Sequence, residues 1–444
     1  MNRRKFLHHA GWISAGSCVL PGLLNSCKTS DWENEGKYQG EVIILGAGIS
    51  GLYAGEMLIK QGVRVKILEA SSNWGGRLRS LPMATDIIKS AERKTIQGEF
   101  SVLSDLLKNF NVSLQPNNGS ELYYFNGLLN ADYNAIQNTF FADMLSAVSS
   151  LDGYDGADIT AQTYFDTLEL SPNIEAVYNV LTGQVYGTSA DHISTLGISR
   201  QKQLWSSGPS NFKVKTEDVA QSIKSAAQSS LDVVEYNTTV NSIDYSGNSI
   251  QLSDTNGGVY SCDRLLITVP LHVLQRNEIT FNPPLGNARE TAISRIGIDT
   301  SYCALFKLQQ PVWPPGTKRI IGSDIAQSFE VTDDGWVYAE VSGLQAETIS
   351  SIFGDPLTII QNQFNELYPG ILELITEGAL QFWEGNRSYD LVGTGNSRET
   401  LAQPVGSKLF FAGEATHTGG HHGTLHGAME SALRAVIEIM DTDK

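Results

Sequence analysis

The chain has 444 residues, about three times a typical domain of roughly 150, so it is long enough for two or more lobes, each with its own core. With 41% apolar and 18% charged residues it has the composition of a globular protein rather than a disordered or coiled-coil one. A net charge of −17 leaves no excess of cations to neutralise phosphates, which argues against nucleic acid as a partner. No apolar run reaches about 18 residues, which excludes a transmembrane bundle. Four cysteines are too few for a disulfide scaffold.

The chain opens on Asn2-Arg3-Arg4-Lys5-Phe6-Leu7, continues through a weakly apolar stretch from Ala10 to Leu24, and reaches Leu24-Asn25-Ser26-Cys27. The arginine pair resembles a twin-arginine export signal, and the tetrapeptide resembles a lipoprotein processing site. Residues 1–27 are therefore expected to be an address. The protein would be exported to the periplasm or cell surface and lipid-anchored to the membrane at Cys27. Residues 28–39 are polar and read as a tether.

Glu41 to Leu45 is an apolar, β-branched run and predicts a buried strand. Gly46, Gly48 and Gly51 follow as G-x-G-x-x-G, with Ala47 and Ser50 between them. Leu52 to Gln61 has helical spacing and stops at Gly62. Val63 to Leu68 predicts a second strand, closed by Glu69 and Ala70. In such a unit Gly46 permits the tight turn, Gly48 lets the backbone approach a pyrophosphate, and Gly51 lets the helix pack on the strand. The helix N-terminus then faces the phosphates, and an acid about 20 residues on accepts from the ribose hydroxyls. Glu69 holds that place.

Two further segments decide which dinucleotide. Asn73-Trp74-Gly75-Gly76-Arg77 follows the acid directly, and Leu409 to Ala412, Gly413-Glu414, Thr424-Leu425-His426-Gly427-Ala428 and a helical run to Ile439 close the chain. Together with the glycine turn they resemble the flavin-containing amine oxidase family, and the likeness extends over essentially everything after residue 40. The resemblance implies FAD. Gly76 and Arg77 would lie on its pyrophosphate side, Gly413 and Glu414 along its ribityl and phosphate region, and Thr424 and Leu425 beside its ring, with the second helix N-terminus at the pyrimidine edge. Four histidines fall between His417 and His426. No carboxylate or cysteine pattern in the sequence completes a metal site with them, so none is expected, and they read as the lining of the flavin pocket.

Between these ends, residues 231–270 predict alternating strands with turns at Ser246-Gly247-Asn248 and Asp254 to Gly258, ending in Val269-Pro270. They match the family's hairpin under the adenine, which begins at Val240. The implied fold is α/β: a discontinuous Rossmann-like FAD-binding domain with an adenine-side β-hairpin, plus an α+β substrate domain with a mixed sheet. The first is expected from residues 40–97, 225–285 and 395–444, the second from 98–224 and 286–394. Ser90-Ala91-Glu92 departs from the family's Gly-Ala-Glu.

The same resemblance implies the chemistry: a C–H next to nitrogen gives hydride equivalents to flavin N5, and the imine hydrolyses. The cofactor does the chemistry, while the protein orients the amine and excludes water. Trp383 matches a tryptophan near the ring. Ser388-Tyr389 matches a serine–tyrosine segment soon after it, and Thr424 stands where members often have a second tyrosine. Tyr389 and Thr424 would then face each other as a cage, as in the family's histone lysine demethylases; core packing also accounts for Trp383 and Tyr389. Residues 381–400 contain no cysteine, so the covalent linkage of some members is missing and FAD is expected to be noncovalent. The family places a lysine about six residues after a segment like Arg295-Ile296-Gly297-Ile298, where it holds a water and assists reaction with oxygen. Here that register falls on Cys303, and Lys307, four residues on, keeps the face but is moved by roughly 13 Å along the strand. The small-molecule substrate is expected to be an amine or amino acid, with a quinone or another carrier as an electron acceptor in competition with oxygen. A dehydrogenase or desaturase of a non-amine, or an FAD-retaining lipoprotein with a binding role only, are the alternatives.

Overall fold

A computed structural model describes residues 38–441 except 79, 82–88, 91–94, 126, 131–138, 170–177, 179, 184, 215 and 323–327. The expected export signal, most of the tether and the Ala91-Glu92 pair that follows the departing Ser90 lie outside the described residues. Among the described residues no helix is long and apolar enough to cross a membrane.

Glu41–Leu45 forms the middle of a five-stranded parallel sheet, flanked by Arg64–Leu68 on one side and Arg264–Ile267 on the other, with Val234–Glu235 and Leu409–Phe411 at the edges. Its side chains alternate between two buried faces, as a covered parallel sheet requires. Val42 and Ile44 pack with helices Ile49–Lys60 and Leu425–Met440, through Leu52, Leu58, Met429 and Ala432. Ile43 and Leu45 pack against a second layer built by strands Val240–Asp244, Ile250–Asp254 and Val259–Cys262. These pair antiparallel through the two predicted turns. The parallel sheet thus draws strands from three separate stretches of chain.

The first helix starts at Ile49, three residues before the apolar spacing announces it, because Gly48 sits extended as the N-cap. It ends where Gly62 turns left-handed and the Val63 N–H reaches back to the Leu58 carbonyl, a glycine-terminated cap. Gly51 is fixed by contact: a Cβ there would lie 2.0 Å from the Gly46 carbonyl oxygen.

The second lobe is a seven-stranded mixed sheet in the order Ile375–Trp383, Ser301–Leu308, Trp336–Ser342, Ser328–Val331, Thr317–Gly322, Ser120–Phe125, Leu128–Asn130. All neighbours are antiparallel except Thr317–Gly322 with Ser120–Phe125. One face carries Ala304, Phe306, Phe329, Val337 and Ala339 against helix Pro356–Leu367, whose Phe364 meets Phe306, Phe329 and Trp313 edge-on. The opposite face carries a smaller apolar group of Cys303, Leu305, Trp336, Tyr338 and Trp383. A short ribbon, Ile296–Ile298 with Ser388–Asp390, joins the lobes.

Replacing Gly51 with Ala forces helix and glycine turn apart. We expect a loss of roughly 1–3 kcal/mol, the usual cost of overpacking, read as a lowered urea midpoint; an unchanged midpoint would mean the helix shifts freely.

Candidate functional site

The glycine turn presents an anion site. Gly48 has no side-chain cap to offer the helix, and no acidic residue occupies the first turn, so its leading N–H groups keep their positive end exposed to a ligand. A Cβ on Gly48 would meet nothing within 4 Å, so the space beside it is open. The Ser50 hydroxyl is buried there without a partner. An open cradle, a bare helix end and an orphaned donor fit a dinucleotide pyrophosphate. Glu69 holds the turn: its carboxylate accepts from the Ala47 N–H at 2.7 Å and from the Ser71 N–H and hydroxyl at 2.9 and 2.6 Å. Ala70 follows it. Gly75 donates to the Ala47 carbonyl, and Gly76, with positive φ, stacks its backbone beside Gly48. Val240 is buried at the start of the hairpin layer.

Arg77 and Glu414 meet from opposite ends of the chain at 3.0 Å. Glu414 is 4% exposed. Its second oxygen accepts from the Ser388 hydroxyl at 2.6 Å and the Gly423 N–H at 2.8 Å. Burial raises its pKa, but Arg77, Ser388 and Arg398 outweigh that and hold it below the usual range. Arg77 also donates to the Asn386 carbonyl. A cleft lined by Arg77, Thr268, Pro270, Leu274, Gly413 and Glu414 runs along this junction.

Thr424 caps the C-terminal helix, which starts at Leu425. Its hydroxyl donates to the His421 carbonyl at 2.6 Å and accepts from the Gly427 N–H at 3.0 Å. Tyr389 is 3% exposed and its hydroxyl donates to Asp299 at 2.7 Å. Burial and then Asp299 raise its pKa, so it stays a neutral phenol. No hydrogen bond or ring contact links Tyr389 to Thr424 among the described residues.

Trp383 and Cys303 share the smaller sheet face. Cys303 sits in register between Glu340 and Gln381. Burial, then the Glu340 carboxylate, push its thiol up to about 12. The Tyr338 hydroxyl donates to its sulfur at 3.6 Å. Glu340 is ion-paired with Arg387 and accepts from Asn386 at 3.1 Å. Lys307, four residues on, keeps the same face but lies further along the strand, over Trp336 at 4.8 Å and near Asp334 at 3.8 Å.

The histidines are corrected in one respect. A carboxylate does join them: Glu430, one turn into the C-terminal helix, accepts from His417 Nε2 at 2.8 Å and His421 Nδ1 at 2.6 Å on one oxygen. The donor set nonetheless does not suit a metal ion. His417 Nδ1 accepts the N–H of Gly419 and of His421, and His421 Nε2 accepts the Ser206 N–H. Both remaining nitrogens must therefore carry protons, aimed at Glu430, and neither has a lone pair to give. His426 lies beside His421 and Trp205, its Nε2 buried without a partner.

The two lobes thus carry an open anion cradle at the glycine turn and a mostly buried junction at Glu414. The chain belongs to the flavin containing amine oxidoreductase family, whose model matches residues 49–440. It is similar to human lysine-specific histone demethylase 2, 24% identical over 98% of this chain and 56% of that protein; the chain spans about half the length of the curated relatives it matches. Its fold is similar to cyclohexylamine oxidase from Brevibacterium oxydans IH-35A, at TM-score 0.73 and 17% identity over 91% of this chain and 99% of that one. A putrescine oxidase gives TM-score 0.72 and 17% identity over 90% and 98%.

Buried His422 and His426 are pushed down to about 3, first by burial, with Arg398 adding to the effect on His422 and His421 to that on His426. Unfolded, each takes a proton near 6.5. The unfolded state therefore binds more protons, and stability, complete above pH 6.5, falls as pH drops toward 3, by up to ~1.4 kcal/mol per unit for each ring. Unfolding midpoints at pH 8, 6, 5 and 4 should show this slope, and His426→Phe should flatten it. A flat wild-type profile would mean the rings are charged in the fold.

Proposed function

We propose that this protein binds FAD without a covalent bond and oxidises the C–N bond of a small-molecule amine or amino acid, passing the electrons to a carrier other than oxygen. The observation that carries this is the convergence on Glu414 of the Arg77 turn, the Ser388-Tyr389 strand and the Gly423 loop, linked through Asn386 to Glu340, the register partner of Cys303. Gly46, Gly48 and the Ser50 hydroxyl would hold the pyrophosphate, Glu69 the ribose, and Arg77 the anionic side. Bound FAD supplies an electron-pair acceptor for the C–H bond next to nitrogen. The chain's own part is positional. Trp383 and Tyr389 wall the substrate, and the buried surroundings keep water out. Thr424 spends its hydroxyl on its helix and offers only its methyl group and backbone.

The acceptor follows from Cys303. A neutral thiol brings no positive charge to this position, and the Arg387 guanidinium that acts on it is balanced by Glu340. Oxygen reduction builds negative charge and needs a nearby cation. A small amine is in keeping with the two structural relatives, named for cyclohexylamine and putrescine. The arginine pair Arg3-Arg4 and Cys27 support export and a lipid anchor at the membrane surface.

Anaerobic mixing with a panel of amines and amino acids should bleach the yellow flavin with at least one member; bleaching only by non-amines would replace the substrate class, and none at all would leave a binding protein. Acid precipitation should release the colour, whereas colour in the pellet means a covalent link. The bleached enzyme should recolour slowly in air and quickly with a quinone, and Cys303→Lys should speed recolouring in air. Air recolouring as rapid as with the quinone in the wild type would overturn the acceptor.

A Cys27→Ala variant should leave the membrane fraction. Its retention after a high-salt wash would rule out acylation at that residue.

A further inference from the structure

Asp299 lies in the turn between Ile296–Ile298 and Ser301–Leu308. Three side chains meet its carboxylate. Tyr389 donates to one oxygen at 2.7 Å; on the other, Thr188 donates at 2.6 Å and His192 Nδ1 stands at 3.0 Å. The His192 ring lies nearly parallel to Tyr389, 11° off at 6.5 Å. Its far nitrogen faces Asp191 at 3.6 Å. Exposure of the side chains rises outward along this line: 16% at Asp299, 30% at His192 and 40% at Asp191. Thr188, Asp191 and His192 come from the inserted lobe, more than a hundred residues from Asp299 in sequence.

We propose that Asp299 and His192 are positioning residues for the reaction, which fix Tyr389 as a hydrogen-bond acceptor toward an N–H-bearing substrate. This rests on the amine reading above. The logic is one of lone pairs. A phenol has one proton and two acceptor sites. Asp299 takes the proton, so only acceptor sites remain for a substrate. Hydrogen bonding to an anion enriches the phenol oxygen and strengthens those sites. They suit an amine N–H and reject a carbonyl or ether, which have no proton to give. The His192 imidazolium balances the charge of the Asp299 carboxylate. The groups facing His192 are Asp299, Asp191 and, from helix Leu344–Ser351, Glu347, with the neutral phenol of Tyr389 alongside. All three charged ones are carboxylates. The hydrogen bond to Asp299, the largest effect, together with the carboxylates outweighs burial and holds the imidazole up to about 9. The imidazolium is thus present at neutral pH, and its support of Asp299 is lost as pH rises through about 9. Thr188 secures the carboxylate's rotation, leaving its other oxygen for Tyr389.

Two measurements on the FAD-loaded protein test this separately. The first uses no substrate. The His192 ring proton is followed by NMR against pH, assigned by its loss in His192→Gln. Titration near 9 in the wild type, moving to lower pH in Asp299→Asn, supports the pair; titration near 6.5 in the wild type overturns it. The second measures anaerobic flavin bleaching against pH with an amine that the panel finds active. A limb near 9 that disappears in His192→Gln, with KM raised more than tenfold in Tyr389→Phe while FAD content is unchanged, supports the positioning role. The same limb in His192→Gln, or an unchanged KM in Tyr389→Phe, overturns it. If no amine bleaches the flavin, the functional reading fails while the titration still decides whether the charge pair exists.

Discussion

The Glu414 carboxylate is the point on which the two ends of the chain and the middle strand depend. Taking a carboxylate and a guanidinium out of water costs several kcal/mol each, and their attraction alone need not return it. Here the geometry supplies the rest. Arg77 takes one oxygen, while the Ser388 hydroxyl and the Gly423 N–H take the other. Ser388 in turn accepts from Arg398, which is ion-paired with Asp390. Each charge in the chain of contacts faces one of opposite sign, although one terminal nitrogen of Arg398 is buried without a partner. Removing any one would leave a buried charge uncompensated, so the glycine turn, the Ser388–Asp390 strand and the histidine-rich loop are held in one relative placement.

Two different electrostatic environments lie in the second lobe, one at Tyr389 and one at Cys303. At the first, Tyr389 reaches a carboxylate balanced by an imidazolium. At the second, the sheet carries Cys303, a neutral thiol, beside an ion pair between Glu340 and Arg387 whose charges cancel. Charge is therefore concentrated at Asp299, while the Cys303 face is close to neutral.

The local signals were legible because their causes are local. Glu41 to Leu45 reads as a buried strand from its own β-branched run, and the two hairpin turns near Ser246 and Asp254 from their own glycines; the strands end where those turns begin. Boundaries slipped where a cap set them: the first helix begins at Ile49 because Gly48 is extended, and the last at Leu425 because Thr424 caps it. The side-chain constellation was not legible. Glu430 joins His417 and His421 only after the loop folds back onto the helix. Asp299 meets His192 across 107 residues and Tyr389 across 90. No spacing rule links residues brought together by a lobe insertion, and Ala190-Asp191-His192 has no periodicity that distinguishes it from a surface turn.

The two helix N-termini that the motifs aim at the cofactor are unequal. At Gly48 no side chain caps the helix, and the Ser50 hydroxyl in its first turn is unpartnered, so among the described residues no side chain competes with a ligand for that end. At Thr424 a hydroxyl already takes the Gly427 N–H, and the His421 carbonyl takes the hydroxyl's proton. The first end keeps its full share of positive potential and suits a doubly charged pyrophosphate. The second has part of that potential satisfied internally and suits a group whose charge is weaker or appears only when electrons arrive. The division of labour between the helices thus follows from a glycine at one cap and a threonine at the other.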